Sequence, residues 1–158
     1  MTTEQHFLLQ RVQPAMVGLI DGSLSTLAPI FSVAIVSHKP LYAFAAGLAT
    51  SIGAAISMAF SEGLSDTGEL TGRGNPAMRG AITGVGAFLG GILHTLPFLL
   101  PGYHTAIVTA VVVVAFELVA LAWIRWRFFG TSFIRSLGLV SVPGAVIAVV
   151  GALVGAGV

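Results

Sequence analysis

The chain has 158 residues, of which 56% are apolar and only 8% charged, and its mean hydropathy is +0.97. A water-soluble domain carries about 25% charged residues, so this composition excludes a soluble enzyme and points to a single integral membrane domain. A net charge of +1 leaves no basic surface for nucleic acid, and the lack of cysteine removes disulfides, thiolate metal sites, iron–sulfur clusters and cysteine nucleophiles.

Residues 1–14 lack the basic start, short apolar core and cleavage site of a signal peptide, so they are expected to remain as a cytoplasmic N-terminal segment. A membrane-crossing helix needs ~20 apolar residues. Five stretches qualify: 15–37 with Asp21 inside, 41–62, 77–100 with His94, 104–124 with Glu117, and the uncharged 136–158. The predicted fold is therefore all-α, one transmembrane domain over 15–158. Barrel strands would need alternating segments of ~10 residues, which this sequence does not have.

Arginine sets the expected orientation. With the N-terminus in the cytosol, the inner segments hold Arg11, Arg73, Arg79, Arg125, Arg127 and Arg135, and the outer ones only Lys39. The C-terminus is then outside, and Trp123 and Trp126 suit the inner interface. One longer polar stretch, 65–76, is the cytoplasmic loop. The pairs Gly18/Gly22, Gly80/Gly84, Gly86/Gly90 and Gly151/Gly155 have the spacing that lets helices approach closely in lipid. No phosphate loop and no His-Glu-x-x-His pair is present, so catalysis has little support.

Ionisable residues inside a bilayer cost ~2.5–3.5 kcal/mol on insertion scales and need a reason. Asp21 shares a helical face with Ser25 and Ser32. Pro29, lacking an N–H, frees the carbonyl of Ser25 one turn from that carboxylate. In the second span, Ser51, Met58, Glu62, Ser65, Asp66 and Glu69 are spaced as one stripe on a helix. Carboxylates with a thioether suit a borderline divalent transition metal better than Mg²⁺ or Ca²⁺. Asp66 and Glu69 are expected to collect cations from the cytosol. Glu117 and Ser25 are candidates for a proton relay or a supporting role. His94 is expected near the outer face, as an exit-side ligand or proton acceptor, because imidazole titrates near neutral pH.

Two of these segments resemble a known family. Gly18-Leu-Ile-Asp21-Gly22-Ser-Leu-Ser25-Thr26 is similar to the Asp-Gly signature of the vacuolar iron transporters, and Ser57-Met58-Ala-Phe-Ser-Glu62-Gly-Leu-Ser65 to their Ser-Met-Ala-x-x-Glu-x-x-Ser signature. The nearest likeness is to the membrane half of bacterial membrane-bound ferritins, in which a rubrerythrin-like domain is joined to such a membrane domain. Ser65-Asp66, Thr71-Gly72-Arg73-Gly74, His94-Thr-Leu-Pro97 and Trp123-Ile-Arg125 also look similar. The resemblance implies a homodimer in the bacterial inner membrane that exports Fe²⁺, and often Mn²⁺, in exchange for protons. Co²⁺, Ni²⁺ and Zn²⁺ stay open as cargo. It implies a path between the subunits lined by spans one and two, with Asp21, Met58 and Glu62 as ligands, and no resident cofactor. Plant members carry a long metal-collecting insert between spans two and three; here about fifteen residues join them. A separate ferritin-like partner is therefore an option, and a non-transporting anchor for such a partner is the competing expectation.

Overall fold

A computed structural model describes residues 2–69 and 71–158. They form α1 (Thr3–Phe7), a π-helical turn (Leu8–Val12), α2 (Gln13–Ser25), α3 (Leu27–Ser37), α4 (Pro40–Gly63), α5 (Pro76–Leu93), a 3₁₀ turn (Leu96–Leu99), α6 (Tyr103–Phe129) and α7 (Phe133–Ala156). No strand occurs among the described residues. Counting the first run as one, five helices are long and apolar enough to cross a membrane.

Proline shapes the first span twice. Pro14 cannot donate to residue 10 and its ring crowds that carbonyl. The register widens just before it, where the Gln13 N–H reaches back to the Leu8 carbonyl. Pro29 likewise leaves the Ser25 carbonyl without a helical donor. The helix breaks at Thr26, and Ile30 N–H resumes the bonding to the Thr26 carbonyl at 3.2 Å. His38, in the left-handed conformation, ends α3, and Pro40 starts α4 directly after Lys39. Asn75 caps α5, its side chain accepting from the Met78 N–H, with Pro76 in the first turn.

The third span is shorter than expected. The helix stops at Leu93 rather than running on to 100, because His94 and Thr95 turn the chain and Pro97 starts a 3₁₀ turn. Nor does the stripe on the second span continue: α4 ends at Gly63, so Ser65, Asp66 and Glu69 lie in the following loop. The N-terminal segment is helical from Thr3.

α5 lies between α2 and α4 and makes its largest contacts with both. Gly18 and Gly22 of α2 face Gly86 and Gly90 of α5, where backbone meets backbone. On the other side of α5, Gly80 and Gly84 meet Ala55, Ala59 and Gly63 of α4. Gly151 and Gly155 seat α7 on Ala28 and Ser32 of α3. All four spaced pairs are thus used within the chain. Two apolar clusters fill the rest: Ile30, Ala34, Ala43, Phe98, Ala106 and Ala110 in one, Met16, Leu121 and Val140 in the other. One side of α4 stays uncovered, with Leu41, Ile52, Ile56, Phe60 and Leu64 exposed and open space beside Gly53.

Candidate functional site

The polar residues gather into two centres. The first closes the arginine-rich end of the α4–α5 pair. Glu62 Oε1 accepts from Arg73 Nη2 at 2.6 Å and from Arg79 Nε at 2.8 Å. Asp66 Oδ2 accepts from Arg73 Nη1 at 3.0 Å and lies 3.2 Å from Arg79 Nη2. Arg79 also donates to the Gly74 carbonyl and the Ser65 hydroxyl, and Thr71 donates to Asp66 Oδ1. Two carboxylates and two guanidiniums cancel. Arg79 is only 1% exposed although it stands in the first turn of α5; Glu62 is 12% exposed. Gly68, at φ +80, lets the loop fold back so that Asp66 reaches both arginines. A cleft of about 450 Å³, lined by Gln10, Arg11, Arg73, Asn75, Met78 and Arg79, opens beside this network.

Asp66 lies outside the membrane-length helices. Desolvation works to raise its carboxyl, but the Gly68 N–H and the charges of Arg79 and Arg73 outweigh it and hold the group below its ordinary 3.8. A lowered folded value means that this interaction stabilises fully above the unfolded value and is lost as pH falls through the folded one. Amide protection in the loop between Asp66 and Asn75, measured against the intrinsic exchange rate at each pH, is therefore expected to fall as the medium is acidified below 3.8. Asp66→Asn should lower that protection at neutral pH and remove its acid dependence. Unchanged protection in acid would show that the loop does not depend on this carboxylate.

The second centre is enclosed by the bundle. His94 Nδ1 lies 2.8 Å from Glu117 Oε2, and His94 Nε2 lies 2.6 Å from Thr26 Oγ1. The Thr26 hydroxyl is 2.9 Å from the Gly22 carbonyl, to which it donates. Thr26 is fully buried, His94 is 1% exposed and Glu117 6%. Glu117 Oε1 is buried without a hydrogen-bond partner. His94 and Glu117, read separately in the sequence, are thus paired in the structure. The early end of α5 brings the His94 ring inside the bundle, opposite the middle of α6.

The remaining candidates stand apart from these centres. Asp21 is half-buried on α2, and Val17 and Ser25, one turn either side of it, are exposed. Met58 is half-buried on α4, and Glu69 is exposed in the loop. Among the described residues no group of three or more His, Asp or Glu is arranged to share a metal ion, so Asp21 does not join Glu62 and Asp66 within one chain. In the sequence, Arg79 stood only as a topological charge, and Arg73 as that and as part of the Thr71-Gly72-Arg73-Gly74 likeness; neither was paired with Glu62 or Asp66. The signal available was an arginine in the first turn of an apolar helix, shortly after a run of three acids.

These features define an all-helical protein with five helices able to cross a membrane and two buried or half-buried polar centres. No protein-family model matches the chain, and neither curated proteins nor solved structures gave a significant match.

Proposed function

We propose that the protein exports a divalent transition metal, Fe²⁺ and with it Mn²⁺, from the cytosol in exchange for protons. It does so as a homodimer, with the path between two copies lined by α2 and α4. The observation that carries this reading is Asp21: an ionisable side chain within a membrane-length helix, on a face that the chain's own packing leaves partly open. Such a group needs a partner to offset its insertion cost. A metal ion and the matching face of a second copy supply one. Met58, half-open on α4, adds a soft ligand. Glu62 is committed to Arg73 and Arg79. In this reading the two guanidiniums are resident counter-charges that a cation displaces on its way through.

The commitment of Glu62 and Asp66 to arginine also favours a second reading, in which these residues only brace the loop and the protein anchors a ferritin-like partner. Metal uptake into proteoliposomes of the purified protein separates the two, with reduced Fe²⁺ or Mn²⁺ and an imposed pH gradient. Flux is expected to follow the gradient and to vanish in Asp21→Ala while the dimer persists. No flux of any divalent ion from an intact dimer would select the anchor.

A further inference from the structure

We infer that His94 and Glu117 form a buried site that binds one exchangeable proton and is latched through Thr26 to the bend in the first span. The hydrogen-bond directions give the proton count. Thr26 has one hydroxyl proton, and it is directed to the Gly22 carbonyl at 2.9 Å. With that proton directed to the Gly22 carbonyl, the same oxygen, 2.6 Å from His94 Nε2, is free to accept, and we assign the proton of this contact to Nε2. Only Nδ1 is left to face Glu117 Oε2, at 2.8 Å. Either Nδ1–H donates to a carboxylate, or a protonated carboxyl donates to Nδ1. Each arrangement holds one proton between the two atoms and leaves the pair neutral overall.

Removing that proton leaves a negative charge buried in the bundle. Glu117 Oε1 already has no donor, so the carboxylate would be poorly compensated. The surrounding elements offer no replacement. The bend contributes Thr26, and α4 contributes Ser51, which with Thr26 flanks Gly91 one turn before His94. The turn after α5 contributes Thr95, whose hydroxyl donates to the Gly91 carbonyl. None of these titrates. The charged residues nearest in sequence on the packed helices are Asp21 on α2, Glu62 on α4, Arg79 on α5, Arg125 on α6 and Arg135 on α7. None of them is bonded to the pair, and no third His, Asp or Glu joins it among the described residues.

The site touches three spans at once. His94 ends α5, Glu117 belongs to α6, and Thr26 is the residue at which α2 gives way to α3. Loss of the proton would therefore weaken the tie between the end of α5 and the middle of α6, next to the bend that follows Asp21. The proton site stands without the exporter reading; its service as the carrier of the exchanged proton rests on that reading.

The test is ring-nitrogen NMR on the full-length protein in lipid bilayers, with isotope-labelled histidine. His6→Gln, His38→Gln and His104→Gln together leave His94 as the sole signal. Nε2 is expected to stay protonated throughout, while the Nδ1 signal shifts in a single step with pH. Glu117→Gln is expected to move that step by at least tenfold in proton concentration. Infrared difference spectra of the unmutated protein, isotope-labelled at glutamate and histidine, should show either a glutamic-acid carboxyl band or an imidazolium band lost in that same single step, so the test survives if Glu117→Gln misfolds. Signals constant at every pH, or a step at Nε2 instead of Nδ1, would overturn the proposal. None of these readouts needs metal flux, so a failed transport assay does not count against the site.

Discussion

Arg79→Met is expected to destabilise the protein by about 3 kcal/mol, the low end of the range for breaking one side of a buried ion pair. Arg79 is 1% exposed and serves Glu62, Asp66, the Gly74 carbonyl and Ser65 at once. Methionine fills much of the volume but donates nothing. Glu62 keeps Arg73 as a partner, which is why the low end applies. Unfolding of the purified protein in detergent, followed by helical signal, measures the loss. Arg73→Met is the comparison. Its side chain is 21% exposed, so its pairs are screened by water and its removal should cost no more than about 1 kcal/mol. Combining Arg79→Met with Glu62→Leu should cost less than the sum of the two single changes, because the contact they share is lost only once. Equal effects for the two arginines would show that burial does not set the strength of this network.

Gly22→Ala should be at least as damaging. A Cβ at Gly22 would fall inside the contact shell of the Ala87 backbone, carbonyl oxygen included. Overpacking of this kind costs about 1–3 kcal/mol and occasionally more, and the upper end applies when the obstacle is backbone that cannot rotate away. Without a hydrophobic force between helices in lipid, close packing of this kind is a main source of their association. α2 is expected to part from α5, seen as a lower unfolding midpoint and as new reactivity of a probe placed at Ala87. Gly53→Ala is the control, since nothing lies within 4 Å of its Cβ position. Its fold stability should be unchanged. A similar loss from both would mean that the α2–α5 seam is not held by its glycines.

The span count and most helix ends were legible in the sequence because hydropathy and proline act locally. The ranges 41–62 and 104–124 fall within the observed Pro40–Gly63 and Tyr103–Phe129. Pro29 marked the Ser25 carbonyl as freed through a missing N–H, a property of one residue, and the helix breaks beside it at Thr26. The third span was misjudged because apolar residues continue to Leu100 past the point where the helix stops. Hydropathy does not register a change of direction inside an apolar run.

Partner choice needed the folded chain. Spacing on an ideal helix put Asp66 and Glu69 in line with Met58, but two arginines and the turn at Gly68 take the backbone away after Gly63. The glycine pairs were visible as packing surfaces, yet their matching, Gly18 and Gly22 with Gly86 and Gly90, depends on which helix α5 lies against. His94, Thr26 and Glu117 come from three spans and looked unrelated in line. Composition and local periodicity suffice to make this chain five membrane-length helices with a bend in the first, because those signals are summed over neighbouring residues. Which charge neutralises which, and that one histidine meets one glutamate in the interior, are settled by contacts between residues far apart in the chain.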